Sequence, residues 1–199
     1  MRRWLVAGLA ILVALTVGVA GFWLVSPEAQ TTAAKGTIPI GGSFSLLDQN
    51  GRRVTEQDFR GRFMLVYFGY TFCPDVCPLG LQTLTQAVDD LPAELRERVV
   101  PVFITVDPER DTVAVMKDYV ASFGPRLVGL TGSPAETGQA SRAWRVYAHK
   151  GEAKDGVYLV DHSTFTYLMG PDGAYVTHFG HDVTPEAMAQ RTAEAIRGS

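Results

Sequence analysis

Two near-continuous runs of apolar residues, 63–68 (FMLVYF) and 99–106 (VVPVFITV), constrain the fold of this chain most strongly. Strands that are apolar on both sides are typical of the centre of a sheet that helices cover on both faces. Apolar residues recur at helical spacing after each run, over residues 78–88 and 112–123. This alternation of strand and helix predicts a parallel βαβ unit with a right-handed crossover.

The segments around this unit predict an α/β sandwich with a mixed sheet. Residues 44–47 and 54–59 flank Asp48-Gln49-Asn50-Gly51, in which Asn-Gly indicates a hairpin turn at one edge. Further elements are predicted as a strand at 127–130, a helix at 135–147, strands at 158–160, 164–169 and 174–179, and a helix at 185–196. The order of elements matches a thioredoxin-like fold, with a central mixed sheet flanked by helices.

Residues 4–25 contain no charge over 22 consecutive positions. At about 1.5 Å per residue, such a helix crosses a hydrocarbon core of roughly 30 Å. Arg2 and Arg3 precede it, so the positive-inside rule predicts a cytoplasmic N-terminus. The remainder would lie on the periplasmic side of the cytoplasmic membrane, anchored by a single span. A signal peptide cleaved after Ala20 is the alternative, although apolar residues continue beyond that position.

We therefore expect an anchor at 1–25, a linker at 26–36 and one domain at 37–199. The linker has no apolar periodicity. A domain of about 160 residues buries a full core and needs no disulfide to fold. The formal net charge of −3 and the absence of a basic stripe argue against a nucleic-acid partner.

The chain has only two cysteines, Cys73 and Cys77, within the segment TFCPDVCP at 71–78. Each precedes a proline, which favours an extended backbone. We expect Cys77 to cap a helix whose first residue is Pro78. The positive end of that helix would favour thiolate, the form that binds metals and attacks disulfides. A pair of buried structural thiols is the alternative interpretation.

Three residues separate the cysteines, whereas Cys-x₂-Cys is the usual spacing of redox dithiols. A metal ion tolerates a wider separation than a disulfide does, but two thiolates alone leave a site open to another ligand. Of the four histidines, His162 is the strongest candidate because it joins two predicted strands without the glycine or proline of an ordinary turn. We expect His149 to lie in a polar loop, and His178 and His181 to have surface or capping roles. Sequence spacing alone cannot bring His162 to the cysteines.

The chain resembles the Sco/SenC family of membrane-anchored copper proteins from about residue 44 to the C-terminal helix. The resemblance is carried by residues 71–78 (TFCPDVCP), 105–112 (TVDPERDT), 161–163 (DHS) and 167–173 (YLMGPDG). It implies a thioredoxin-like domain that binds one copper ion, by position through Cys73, Cys77 and His162. Leu79 and Gly80 depart from the family, which usually has acidic or polar residues there.

The resemblance also implies a function and partners. The implied function is copper delivery to the dinuclear copper A site of cytochrome c oxidase, with reduction of that site's cysteines as an accompanying activity. The implied partners are the oxidase subunit that carries this site, a periplasmic copper donor and a thiol reductant. Such a protein is an assembly factor and not an enzyme.

Alternatives remain open for both the metal and the function. Thiolate suits Cu(I) and imidazole accepts Cu(I) or Cu(II), whereas zinc prefers a fourth ligand. A membrane-anchored thiol-disulfide oxidoreductase would use Cys73 and Cys77 as a redox-active disulfide. A thiol peroxidase on the same fold is a third hypothesis. Replacing His162 separates copper delivery from disulfide exchange, because disulfide exchange does not require a histidine.

Residues beside these ligands have candidate supporting roles. Asp161 is a candidate acceptor for the imidazole, although adjacent residues seldom face the same way. Asp111 is a candidate cap for the helix near Thr112, and Arg110 is expected to pair with a carboxylate. Tyr70 and Phe72 are expected to exclude water.

Overall fold

The structure is a computed structural model and describes residues 39–199. The predicted anchor at 1–25 and linker at 26–36 lie outside these residues. Within residues 39–199, no helix combines the length and the apolar character that crossing a membrane requires.

Strands form two sheets in the described part of the chain. In chain order they are β1 (Ser45–Asp48), β2 (Arg53–Thr55), β3 (Phe63–Gly69), β4 (Val99–Thr105), β5 (Val128–Thr131), β6 (Ala148–Lys150), β7 (Val160–His162), β8 (Thr166–Met169) and β9 (Tyr175–Phe179). Seven of them form one sheet in the order β2-β1-β5-β4-β3-β8-β9, and β6 pairs with β7 in a separate ribbon. Strands β3, β4 and β5 are parallel, and β1 and β8 join them antiparallel. The predicted βαβ unit and mixed sheet are confirmed.

Helices lie on both faces of the large sheet. They are α1 (Val76–Asp89), α2 (Ala93–Arg96), α3 (Val113–Ala121), α4 (Pro134–Ala143) and α5 (Pro185–Arg197), and a 3₁₀ turn covers Glu56–Phe59. Side chains of α1, α3 and α5 pack in one core cluster, whereas Ala140 of α4 and Trp144 pack in the other. The thioredoxin-like arrangement predicted from the sequence is confirmed.

The burial of both faces of strand β3 explains why its sequence is apolar throughout. Phe63, Leu65 and Tyr67 face the cluster that includes α1, whereas Met64, Val66 and Phe68 face the opposite cluster, and all are buried. Successive side chains of a strand point to opposite faces, so a strand covered on both faces is apolar at every position.

Four predicted elements differ from the structure, and one of them is the strand predicted at 158–160, which lies at Val160–His162. The second strand of the first hairpin ends at Thr55, because the Asp58 carboxylate accepts from the Thr55 backbone N–H at 2.8 Å and caps the following 3₁₀ turn. The helix predicted at 135–147 ends at Ala143, and Arg145 adopts a positive φ of 56° two residues later. His149 lies on β6 and not in a loop, and its neighbours pair with β7.

A charged capping group fixes α4 beside the edge hairpin. The Glu136 carboxylate accepts from the backbone N–H of Ser133 at 2.7 Å and from Nη1 of Arg53 on β2 at 2.5 Å. The Ser133 hydroxyl accepts in turn from the Glu136 backbone N–H, which completes a capping box. These donors, the Ser133 backbone first, lower the pKa of Glu136 to about 2.

We expect Glu136→Gln to lower the free energy of unfolding by about 0.5–1 kcal/mol at neutral pH, because it removes a charged acceptor from the capping box. Folding lowers the pKa of Glu136 from 4.5, so its stabilisation is present above that pH and is lost as the pH falls towards 2. Urea denaturation of both proteins should therefore show a difference that shrinks below pH 4.5. Glu152→Gln, at an exposed position, is the control. A difference that does not vary with pH would contradict the charged cap.

Candidate metal centre

Two cysteines and one histidine converge beyond the carboxyl end of β3. Cys73 lies in the loop after β3, Cys77 lies in α1, and His162 ends β7. One ligand atom from each lies within 4.8 Å of the other two, and Sγ of Cys77 is 3.2 Å from Nε2 of His162. Across residues 39–199, no other three histidine, cysteine or acidic side chains converge in this way. The fold brings together the three residues that sequence spacing alone could not connect.

Cys77 occupies the first turn of α1. The helix begins at Val76 with Asp75 at the N-cap, so the prediction that Cys77 caps the helix is wrong by two positions. Pro78 is then the third helical residue, which is tolerated because the first-turn N–H groups have no intrahelical partners. Both cysteines are free thiols, Cys73 at 9% exposure and Cys77 at 0%.

Burial, and not the helix terminus, determines the protonation of Cys77. Desolvation raises the pKa of this thiol well above its usual range, although a hydrogen bond from the Tyr70 backbone partly opposes the shift. The expected preference for thiolate is therefore wrong for Cys77 in the metal-free protein. A metal ion that binds this sulfur must displace a proton.

The His162 ring is oriented by a backbone carbonyl. Its Nδ1 lies 2.8 Å from the carbonyl oxygen of Ser163, which can only accept, so Nδ1 carries the proton and Nε2 presents its lone pair to Cys77. The acceptor is therefore the Ser163 carbonyl and not the Asp161 carboxylate. Burial lowers the pKa of His162. The ring is thus held in the neutral form that binds metals.

Aromatic rings surround the three donor atoms. Tyr67 and Tyr70 meet the His162 ring edge-on, with centroid separations of 6.3 and 5.8 Å. Both tyrosines are buried, as expected for Tyr70, whereas Phe72 is 51% exposed and covers the site only partly. Tyr67 was not identified from the sequence, although its alternation with Phe63 and Leu65 places it on the face that carries α1.

Two glycines allow this close packing. A Cβ at Gly69, the last residue of β3, would lie 2.7 Å from Sγ of Cys77. A Cβ at Gly80 in α1 would lie 3.0 Å from the ring of Tyr67. Gly80, which departs from the usual family pattern, therefore lets α1 approach the tyrosine that borders the site.

Asp111 anchors the cysteine loop. Its carboxylate accepts from the backbone N–H of Thr71 at 3.0 Å, and from the hydroxyls of Thr71 and Thr105 at 2.6 Å each. Thr112 caps α3 instead, so the capping role considered for Asp111 is wrong. Burial raises the pKa of Asp111, while these donors oppose the shift. Asp111 ties the start of the cysteine loop to the end of β4.

The other histidines lie away from the cluster. His149 is exposed on β6, where it pairs across the ribbon with Asp161 and stacks on Tyr147. His178 is exposed on β9, with its Nδ1 2.6 Å from the Tyr175 hydroxyl, and His181 is exposed after that strand.

The donor set suits a soft metal ion. Two sulfurs and one imidazole nitrogen are ligands for thiophilic metals rather than for calcium or magnesium. Two metal–sulfur bonds of about 2.3 Å span at most about 4.6 Å. Separations no larger than 4.8 Å are therefore close to what one shared ion requires.

Comparisons with known proteins identify the family to which the chain is similar. A family model described as SCO1/SenC matches residues 32–197. Protein SCO1 homolog 1, mitochondrial, from Arabidopsis thaliana is 45% identical over 162 residues, which cover 81% of this chain and 48% of that protein. The chain thus spans about half the length of that relative.

Two solved structures are similar in both sequence and fold. Arabidopsis thaliana ScoI with copper bound has a TM-score of 0.75 and 44% identity, over 80% of this chain and 99% of that one. Bradyrhizobium japonicum ScoI with copper bound has a TM-score of 0.73 and 45% identity, over 78% of this chain and 98% of that one.

We expect Asp111→Asn to lower the free energy of unfolding by about 1–3 kcal/mol, because the amide NH₂ would face hydroxyl and amide donors that the carboxylate now accepts. Urea denaturation measures the loss, and amide hydrogen exchange at Thr71 and Cys73 should become faster. Asp118→Asn, at an exposed position on α3, should change stability by less than about 0.5 kcal/mol. Equal effects of the two variants would show that Asp111 does not anchor the loop.

Proposed function

The chain belongs to the SCO1/SenC family, and from this membership and the three converging donor atoms we propose that it is a copper chaperone. It binds one copper ion through Cys73, Cys77 and His162. It then delivers the ion to the copper A site of cytochrome c oxidase during assembly of that enzyme.

The observation that carries this proposal is the approach of Nε2 of His162 to Sγ of Cys77 at 3.2 Å. These residues are 85 positions apart, so only the tertiary structure brings them together. The nitrogen also directs an unprotonated lone pair at the thiol, because the Ser163 carbonyl holds the ring proton on Nδ1. A half-buried histidine with a purely structural role would not need that orientation towards a thiol.

Copper fits this donor set better than zinc does. Thiolates stabilise Cu(I), and an imidazole nitrogen accepts Cu(I) or Cu(II), so the set can hold either oxidation state. Structural zinc sites have four protein ligands, whereas this cluster has three. Three ligands leave one side of the ion open to an incoming ligand, as transfer to another protein requires.

The unequal burial of the two cysteine residues suggests the order of ligand exchange. Cys77 has no exposed surface, whereas Cys73 is 9% exposed in the loop beside half-exposed Phe72. An incoming thiolate would approach from the loop side and displace Cys73 first. Cys77 and His162 would hold the ion until transfer is complete.

Copper delivery of this kind implies a location and partners. We place the domain at 37–199 on the periplasmic side of the cytoplasmic membrane, anchored by the span proposed at 1–25. Its partners would be the oxidase subunit that carries the copper A site, a periplasmic copper donor and a thiol reductant.

Thiol-disulfide exchange is a second candidate function. The sulfurs of Cys73 and Cys77 lie within 4.8 Å of each other, and both residues are free thiols. Loss of two electrons and two protons to an external disulfide would join them in a redox-active disulfide. Cys73, the more exposed of the two residues, would attack first.

Anaerobic titration of the reduced full chain with Cu(I), against a chromophoric competitor, tests copper binding. We expect one equivalent per chain. Cys73→Ser, Cys77→Ser and His162→Ala should each weaken the affinity by more than about a hundredfold, since each removes a direct ligand. His149→Ala, on the neighbouring strand, is the matched control and should leave the affinity unchanged. Tight binding that survives His162→Ala would rule out the three-ligand site.

The rate of exchange with a small dithiol distinguishes thiol-disulfide exchange from copper binding. His162→Ala should largely retain the rate at which Cys73 and Cys77 cycle between dithiol and disulfide, because the imidazole is not part of that bond. Cys73→Ser should abolish the cycle. If His162→Ala abolished both activities, the two functions could not be separated at this residue.

A further inference from the structure

Arg110 joins Asp107 and Tyr158 through a set of polar contacts beside the metal centre. Its Nε pairs with the buried carboxylate of Asp107, and its Nη1 donates to the backbone carbonyl of Tyr158 at 3.0 Å. The Tyr158 hydroxyl donates to the same Asp107 carboxylate at 2.9 Å. The three residues therefore hold one another, and we call them the Arg110 clamp.

The guanidinium also lies over three aromatic rings. Its Cζ is 3.7 Å from the ring centroid of Tyr158, 4.8 Å from that of Phe72 and 5.5 Å from that of Tyr70. All three are within the range of cation–π attraction. Phe72 immediately precedes Cys73, and Tyr70 meets the His162 ring edge-on. One side chain thus touches both the cysteine loop and the segment that leads to the histidine.

The ribbon that carries His162 needs such support. Strands β6 and β7 have three residues each and form a two-stranded sheet apart from the main one. A two-stranded ribbon is at best marginally stable alone. Tyr158 lies two residues before β7, so the clamp holds the chain where it enters the strand that ends at His162.

The chemistry of the contacts requires a guanidinium. The planar group donates to a carboxylate and to a carbonyl in two directions while its face stacks on a ring. A lysine would supply the charge that Asp107 needs, but its single ammonium cannot also replace the stacking and the fixed second bond. If Arg110 only balances the charge of Asp107, Arg110→Lys should keep the copper affinity of the wild type. If Arg110 positions the ligands, Arg110→Lys should weaken that affinity.

We propose that Arg110 is a positioning residue of the metal centre, which sets the distance between His162 and the two cysteines by clamping Tyr158 to Asp107 and Phe72. This inference rests on the proposed function, in that the centre must bind copper for the position of His162 to matter. Arg110 does not itself bind the ion. Loss of the Arg110 side chain changes how His162 binds the ion.

The test uses the full chain with Arg110→Met and Arg110→Lys, and Arg191→Met as the matched control. Arg191 also lies over a phenylalanine, 4.7 Å from the Phe179 centroid, and donates to a threonine hydroxyl. Cu(I) affinity is measured by competition. Electron paramagnetic resonance of the Cu(II) form reports nitrogen hyperfine coupling from His162. Urea denaturation measures folding separately.

We expect Arg110→Met and Arg110→Lys each to weaken copper affinity by about tenfold, the effect typical of residues that orient a ligand. The nitrogen hyperfine signal should become weaker or heterogeneous in both. Arg191→Met should change affinity by less than about twofold and leave the signal unchanged. Tyr158→Phe removes only the hydrogen bond to Asp107 and should also make the nitrogen hyperfine signal weaker or heterogeneous. This variant tests the inference if Arg110→Met does not fold.

Unchanged affinity and hyperfine coupling in the folded Arg110 variants, or full restoration by lysine, would overturn the positioning role. Failure of the proposed function would look different. In that case the wild-type chain would not bind one copper ion, or His162→Ala would bind it as tightly as the wild type. A wild type that needs His162 but not Arg110 would thus refute this inference alone.

Discussion

The contact between Cys77 and the end of β3 is the constraint on which the rest of the metal centre depends. Gly69 lets the Cys77 sulfur lie where a Cβ would come within 2.7 Å, and Gly80 lets α1 close on Tyr67. Because β3 is buried on both faces, it cannot shift to relieve these contacts. The sulfur is therefore fixed against the sheet, and the loop that carries Cys73 and the ribbon that carries His162 place the other two donor atoms beside it.

Burial and helix polarity act in opposite directions on Cys77, and burial dominates. The terminus of α1 favours thiolate, but the completely buried sulfur has a raised pKa and donates towards Nε2 of His162. The metal-free centre is thus a neutral pair, and a metal ion that bound there would displace the thiol proton.

The sequence predicted the parts of the fold that follow from local pattern. The apolar runs identified β3 and β4, Asn50-Gly51 identified the first hairpin, and helical spacing identified α1, α3 and α5 to within a few residues. Strand β6 and its pairing with β7 were not predicted because these strands are short and partly polar, and the strand predicted at 158–160 begins two residues before β7. The roles of Asp111, the Ser163 carbonyl and the Arg110 clamp depend on contacts between distant segments. No local pattern encodes those contacts, and the family resemblance alone connected His162 to the cysteines.

The proposed function depends on coordination of one copper ion by the sulfurs of Cys73 and Cys77 and by the imidazole nitrogen of His162. X-ray absorption spectroscopy of the Cu(I)-loaded full chain tests it directly. We expect a three-coordinate ion with two sulfur neighbours and one nitrogen neighbour, and loss of the imidazole scattering in His162→Ala. A two-coordinate ion bound by sulfur alone, or a spectrum that His162→Ala leaves unchanged, would contradict it.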